Sequence, residues 1–85
     1  MPVIIREGSW RIWIHTDDHG RPHVHVYRRG ARAKILLPTA GAPAGVLSRR
    51  AMTDRDAVAA VALVEVYAEE LMSAWRRIHG LSETD

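Results

Sequence analysis

Four histidines lie within eleven consecutive residues and are the side chains best suited to chemistry. They are His15, His19, His23 and His25. Neutral imidazole nitrogens bind zinc, nickel or iron without help from a thiolate. Imidazoles also exchange protons close to neutral pH, which suits acid–base catalysis. The cluster therefore indicates two kinds of chemistry, and each kind requires particular members to converge.

The residues leave three interpretations of this cluster open. A divalent transition metal would be held by His15, His19 and His23. A metal-independent ribonuclease would use His23 and His25 as acid and base on the RNA 2′-hydroxyl, with His19 assisting. The third interpretation is structural, because Asp18 can cap the loop and hold His19 in one tautomer.

Alternation of apolar and polar residues predicts the strands that position these histidines. Residues 9–15 place Trp10, Ile12 and Ile14 on one side, which is typical of a half-buried strand. Residues 23–28 and 32–37 alternate in the same way. We expect residues 2–6 to add a short edge strand.

Turn-forming residues separate these strands. Residues 16–22 contain Asp, Gly and Pro and predict a loop. Arg29 and Gly30 predict a two-residue hairpin turn, since Gly adopts the positive φ that such turns need. Residues 38–45 are rich in Gly, Ala and Pro and are expected to form a connector.

The register of the two hairpins follows from the requirement that directly opposed residues point to the same face. A register that satisfies this requirement in both hairpins aligns Ile12 with Val26 and Ala33 on the apolar face. On the opposite face it produces the rows Arg11–Tyr27–Arg32, Trp13–His25–Lys34 and His15–His23–Leu36.

The second half of the chain predicts one long helix. Thr53 is a good N-cap, and Asp56 lies three residues on, as in a capping box. Gly80 is a natural helix stop. An apolar stripe at spacings of three and four is formed by Ala57, Val61, Val64, Ala68, Leu71, Trp75 and Ile78.

These elements predict an α+β fold, a three- to four-stranded antiparallel meander with one long C-terminal helix packed on one face. Residues 1–80 are expected to form a single domain, and residues 81–85 a flexible tail. A chain of 85 residues buries roughly 60% of its extended surface, which leaves no room for a separate cofactor domain.

The sheet face that the helix does not cover is expected to bind a partner. Its residues are Arg11, Trp13, His23, His25, Tyr27, Arg32 and Lys34. Trp, Tyr and Arg anchor protein interfaces, and rings interleaved with cations suit single-stranded nucleic acid. We therefore expect a small binding module whose partner is another protein, a second copy in a homodimer, or RNA or DNA. In the structural alternative, residues 38–45 or the N-terminus fold over this face and bury Trp13.

Composition narrows the class of protein further. The chain has no Cys, which excludes disulfides, thiolate nucleophiles and iron–sulfur clusters. Residues 1–50 hold nine basic and three acidic side chains, net +6, whereas residues 51–85 hold three and seven, net −4. The longest apolar run is too short to span a membrane, and we see no secretory leader. We expect a cytoplasmic protein without a membrane partner.

The segment from Asp18 to Val26 reads Asp-His-Gly-Arg-Pro-His-Val-His-Val and is followed by the Arg29-Gly30 hairpin. Together with Glu70-Leu71 and Trp75 in the late helix, it resembles the domain-of-unknown-function 4160 family of small bacterial proteins. Arg21 stands where the family has the first Pro of a pair. The resemblance implies the same α+β fold and a toxin–antitoxin-like or mobile locus, and we expect the binding module to act in a toxin–antitoxin-like or phage–host conflict setting. It implies no established activity.

Overall fold

The computed structural model of the protein describes residues 4–15 and 20–79. These residues form an α+β fold with a five-stranded sheet and two helices. The strands are β1 (Ile5–Glu7), β2 (Trp10–Trp13), β3 (His23–Arg28), β4 (Ala31–Leu36) and β5 (Gly45–Arg50). The helices are α1 (Asp54–Val66) and α2 (Ala68–His79). The predicted tail at residues 81–85 and the predicted helix stop at Gly80 lie outside the described residues.

The sheet is an antiparallel meander in which the strands are neighbours in chain order, β1-β2-β3-β4-β5. The predicted register of its centre is confirmed. Ile12 lies opposite Val26, which lies opposite Ala33. An N-terminal edge strand is present as β1, but at Ile5–Glu7 and not at the predicted residues 2–6, of which residues 2 and 3 lie outside the described residues. Arg29 and Gly30 have φ values of 47° and 85°, so both residues of the turn adopt the left-handed conformation that tight hairpins require.

The fifth strand was not predicted. Gly45, expected to end a connector, instead begins β5, which pairs with β4. Each of its next five residues is exposed, so the burial alternation that reveals a half-buried strand is missing. A register shift between Lys34 and Ile35 obscures the pattern further, because Leu47 has no partner of its own.

The prediction of one long helix was wrong at a single residue. Thr53 caps α1 as expected, its hydroxyl accepting a hydrogen bond from the Asp56 amide at 3.1 Å. Tyr67 then leaves the helical conformation, with φ −103° and ψ 17°, and α2 begins at Ala68. The Tyr67 hydroxyl donates to the Glu7 carboxylate at 2.7 Å. The break therefore coincides with a contact to β1, which the 3.6-residue period of the helix cannot reveal.

The core lies between one face of the sheet and the two helices. On the sheet side, Ile12, Val24, Val26 and Ile35 are fully buried. The helix residues buried against them are Ala57, Ala60, Val64, Leu71, Ala74 and Trp75. Each large aliphatic side chain buried in this way contributes about 1.5–3 kcal/mol of transfer free energy. No helix in the described part of the chain is long and apolar enough to cross a membrane.

Arg28, the last residue of the central strand β3, connects the sheet to the first helix. Its guanidinium donates to Asp56 at 2.9 Å and to the Ser9 hydroxyl at 2.8 Å. It also lies 5.0 Å from the centre of the Trp10 ring, within range of a cation–π interaction. This cation on the helix-covered face is therefore held by contacts within the fold.

Candidate functional site

The face of the sheet opposite the helices carries two rows of polar and aromatic side chains, and we call it the open face. The first row is Arg6–Arg11–Tyr27–Arg32–Arg50, and the second is Trp13–His25–Lys34–Ser48. Side chains that are directly opposed on neighbouring strands have Cβ atoms about 4.5–5.5 Å apart, so each row is a continuous surface.

Both rows contain the residues that the sequence predicts. Arg11, Tyr27 and Arg32 are aligned across β2, β3 and β4, as are Trp13, His25 and Lys34. Arg50 and Ser48 extend the two rows onto β5. Sequence reasoning missed these two residues together with their strand. The sequence offered no clear signal for them, since Ser48, Arg49 and Arg50 form a polar run without alternation.

The open face is strongly basic. Arg6 lies directly opposite Arg11, and Arg32 directly opposite Arg50. Like charges in such pairs destabilise a sheet. The described carboxylates lie elsewhere, since Glu7 bonds Tyr67 on the other face and the remainder belong to α1 and α2. The fold therefore concentrates cations on one face at a cost to its own stability.

A stacked aromatic pair lies among these cations. The rings of Trp13 and Tyr27 are 4.3 Å apart at an angle of 17°. Both side chains are half-buried, and the connector does not cover them, because Pro38, Thr39 and Ala40 line a depression against α2 instead. Residues 38–40 therefore lie against α2 and not over Trp13, whereas residues 1–3, the other candidate cover for that ring, lie outside the described residues.

His15 and His25 continue the aromatic surface. The Trp13 indole nitrogen donates to His15 Nε2 at 3.1 Å. Because an indole nitrogen can only donate, that imidazole nitrogen is the acceptor of this hydrogen bond. The His15 and His25 rings lie 3.9 Å apart. The two imidazoles therefore pack edge to face beside the Trp13–Tyr27 stack.

A pocket of about 340 Å³ opens on this face between β3, β4 and β5. The functional side chains that line it are His15, His25, Tyr27, Arg32, Lys34, Ser48, Arg49 and Arg50. Arg49 forms an ion pair with Asp54, which offsets its charge. The pocket therefore combines imidazoles, a phenol and a hydroxyl with three cations that project from the open face.

His23 does not belong to the open face, although the sequence predicts it there. Its backbone pairs with Leu36 as expected, but its side chain is only 7% exposed. The ring lies 5.4 Å from that of Trp75 in α2, and Nδ1 is 2.9 Å from the Arg21 carbonyl oxygen. His23 is the first residue of β3, so it lies at the end of the sheet, where the side chain reaches the helix layer.

This position weakens both histidine chemistries that depend on His23. As a catalytic partner of His25, a buried ring packed on Trp75 does not present its nitrogens to an RNA strand. As a metal ligand, it would act with His15, whose Nε2 already accepts from Trp13. His19, Asp17 and Asp18 lie outside the described residues. Within residues 4–15 and 20–79, no three His, Asp or Glu side chains are grouped to hold a metal ion.

The fifth histidine joins the aromatic series from the other side. The ring of His79 lies 4.0 Å from that of Trp75, so His25, His23, Trp75 and His79 follow one another from the open face to the end of α2. Sequence reasoning missed His79 because it is remote from the cluster. The spacing of Trp75 and His79, four residues apart on a helix, was the available signal.

Comparison with known proteins supports a family assignment. A family model described as a domain of unknown function (DUF4160) matches residues 9–76, which include the open face from β2 to β5 and most of both helices. No curated protein and no solved structure matches the chain significantly.

Proposed function

The chain belongs to the DUF4160 family, whose description names no activity. We propose, from the residues of the open face, that the protein is a binding module for single-stranded nucleic acid. The observation that carries the proposal is the Trp13–Tyr27 stack, 4.3 Å apart, within rows of Arg and Lys side chains. A strand of RNA or DNA presents phosphates and unstacked bases, and this face offers a complement to both.

The two parts of the face would act differently on a strand. Lys and Arg neutralise phosphates and release counterions, which supplies affinity without regard to sequence. An aromatic ring that stacks on a base contributes about 1–3 kcal/mol and also tolerates any base. We therefore expect binding with little sequence preference.

A partner protein is the main competing occupant. Trp, Tyr and Arg also anchor protein interfaces, so residue types alone do not separate the two. Charge does favour nucleic acid, because Arg32 and Arg50 face each other and the described carboxylates lie on other surfaces. A protein partner would have to present an acidic surface to the same rows.

The proposal includes the setting expected from the sequence. A chain without Cys is compatible with the reducing cytoplasm. The resemblance of residues 18–26 to small bacterial proteins favours a component of a toxin–antitoxin-like or phage–host conflict locus.

The test is the affinity for fluorescently labelled RNA and DNA strands of about 12 nucleotides, a length within the usual site sizes, measured by fluorescence anisotropy. We expect binding by the full chain, and a loss of about tenfold in affinity in Trp13→Ala, since one stacking contact is removed. Arg32→Gln is expected to weaken binding as well. Arg77→Gln, an exposed cation on α2, is the matched control and should bind like the unmodified protein.

Circular dichroism of each variant separates lost binding from lost folding. If the unmodified protein binds neither strand at low salt, the proposal is wrong, and an acidic protein partner becomes the leading candidate. Equal affinities in Trp13→Ala, Arg32→Gln and Arg77→Gln would also contradict it, because the strand would then bind elsewhere.

A further inference from the structure

The pocket on the open face has the size of a site for one small molecule or one unit of a polymer. Its volume of about 340 Å³ lies at the lower end of the range for ligand pockets, about 300–1,000 Å³. A second depression, between residues 38–40 and α2, is wider, and its lining includes Glu69 and Arg76, which carry opposite charges. The charged side chains that line the pocket on the open face are all basic, so this pocket favours an anionic ligand, whereas the second depression favours neither charge.

We infer that this pocket binds one phosphorylated nucleoside, with the phosphate against Arg32, Lys34, Ser48 and Arg50 and the base against Tyr27. The inference rests on the proposed function and deepens it by naming the unit of the strand that the pocket takes. The inference also assigns roles to Ser48 and Arg50, which the sequence pattern does not indicate.

Pairing in the sheet places four phosphate-binding groups in a square. Lys34 lies opposite Ser48, and Arg32 lies opposite Arg50, two residues along the same strands. Opposed Cβ atoms are about 5 Å apart, so the three flexible Arg and Lys side chains can converge on one anion beside the Ser48 hydroxyl. Guanidinium, ammonium and hydroxyl groups all donate to phosphate oxygens, and the charged ones form the stronger hydrogen bonds.

The β-bulge in the fifth strand supports the same assignment. The register shifts between Lys34 and Ile35, so that Ser48 pairs with Lys34 while Val46 pairs with Ile35. Leu47 is the inserted residue and is 53% exposed. Bulges commonly redirect side chains beside binding sites. Here the irregularity falls at the wall of the pocket and aligns Ser48 with Lys34 on the open face.

Tyr27 provides the surface for a base. It lines the pocket, and its ring is stacked on Trp13, which holds it in place from one side. A base that enters the pocket would stack on the phenol, since aromatic rings accept bases of every type. The distance from Tyr27 to the phosphate groups is set by the sheet, because Tyr27 is directly opposite Arg32.

A bound anion would relieve the repulsion between the paired arginines and so stabilise the folded protein. Arg32 opposite Arg50 is a like-charge pair, which a sheet normally avoids. A phosphate between the two guanidiniums would convert the repulsion into two favourable contacts. Nucleotide binding should therefore also raise the melting temperature of the protein, as any ligand that binds only the folded state does.

The experiment is a titration of the 15N-labelled full chain, followed by 1H–15N NMR. The probes are adenosine 5′-monophosphate, adenosine and inorganic phosphate. We expect the nucleotide to shift the amides of Lys34, Ser48 and Arg50 and to bind at least about tenfold more tightly than either fragment, because only it makes both contacts. Lys34→Gln and Ser48→Ala should each weaken nucleotide binding, whereas Arg77→Gln should leave it unchanged.

The outcomes separate this inference from the proposed function. If inorganic phosphate binds as tightly as the nucleotide, the base makes no contact and the inference is wrong. If adenosine does so, the phosphate assignment is wrong. If oligonucleotides bind and lose affinity in Trp13→Ala, but the double variant Lys34→Gln/Ser48→Ala binds them unchanged, the open face is the site and the pocket is not. If oligonucleotides do not bind at all, the proposed function itself fails.

Discussion

His23 and His25 are two residues apart on β3, yet their side chains have different surroundings. His25 lines the pocket of the open face, whereas His23 is buried with its ring 5.4 Å from that of Trp75. Alternation alone gives both residues the same face. Only the position of His23 at the end of the sheet explains why one imidazole is part of the core and the other lines the pocket.

Substitution by alanine should therefore separate the two residues. We expect His23→Ala to lower the free energy of unfolding by about 2 kcal/mol, because it removes packing against Trp75 and the contact with the Arg21 carbonyl. His25→Ala should cost less than about 1 kcal/mol but weaken nucleotide binding. Urea denaturation and the NMR titration measure the two effects. Equal losses of stability would contradict the different burial of the two rings.

At the scale of elements, the break between the helices is tied to the first strand. The Tyr67 hydroxyl donates to the Glu7 carboxylate at 2.7 Å. This hydrogen bond, and to a lesser extent the negative charge of Glu7, raises the pKa of Tyr67 above its ordinary value of 10.0. The contact joins β1, the outermost strand, to the point where α1 ends, so it helps to hold the edge of the sheet to the helix layer.

The pH dependence of this contact has a definite sign. Since folding raises the pKa of Tyr67, the bond stabilises the protein fully below pH 10.0 and loses that effect as the pH rises through the raised value. We expect Glu7→Gln to lower the pKa of Tyr67 towards 10.0. Ultraviolet titration in a Tyr27→Phe background reports Tyr67 alone. An unchanged pKa in Glu7→Gln would show that the carboxylate is not its cause.

The fifth strand, β5, contributes side chains to the pocket of the open face. Gly45–Arg50 forms one edge of the sheet and adds Ser48 and Arg50 to the open face. Its exposed apolar residues, Val46 and Leu47, contribute little to the core. The strand therefore contributes polar side chains to the pocket but little apolar surface to the core. This is expected of a binding site at the edge of a sheet whose core lies elsewhere.

At the scale of the whole molecule, the charges of the two halves of the chain lie on different faces. The basic half contributes the open face, and the acidic half forms mainly the helices on the other side. The molecule measures 40 × 29 × 19 Å. Even its shortest dimension exceeds the screening length of about 8 Å at physiological salt. Apart from Asp54, which pairs with Arg49, the acidic residues of the helices therefore leave the positive potential of the open face in place.

Salt dependence tests this separation of charge. A single strand that contacts four of the open-face cations should give a slope of about −2.8 for the logarithm of affinity against that of salt, since each phosphate contributes about −0.7. Raising the salt from about 50 to about 200 mM then lowers affinity roughly 50-fold. Arg32→Gln should make the slope shallower by about 0.7, and Arg77→Gln should not. A slope near zero would rule out phosphate contacts as the source of affinity.

The amino-acid sequence by itself determined the central meander and most of the open face. Period-two alternation placed Trp13, His25 and Lys34 in one row, and the turn at Arg29-Gly30 set their register. The Thr53 cap was equally clear. These features depend on interactions between residues close in the chain or on the pattern of a single strand, so local rules are sufficient to predict them.

Only the tertiary structure decided the position of His23 against Trp75, the break at Tyr67 and the place of β5 beside β4. For His23 and Tyr67 the determining contact joins residues far apart in the chain. For β5 the partner strand is the preceding one, but the local pattern is compatible with another outcome. Exposed strands carry little periodic signal, a helix continues its apolar stripe across a one-residue break, and the end of a sheet lets a side chain leave its expected face. The sequence therefore defined the chemistry available to the open face, and packing decided which side chains reach it.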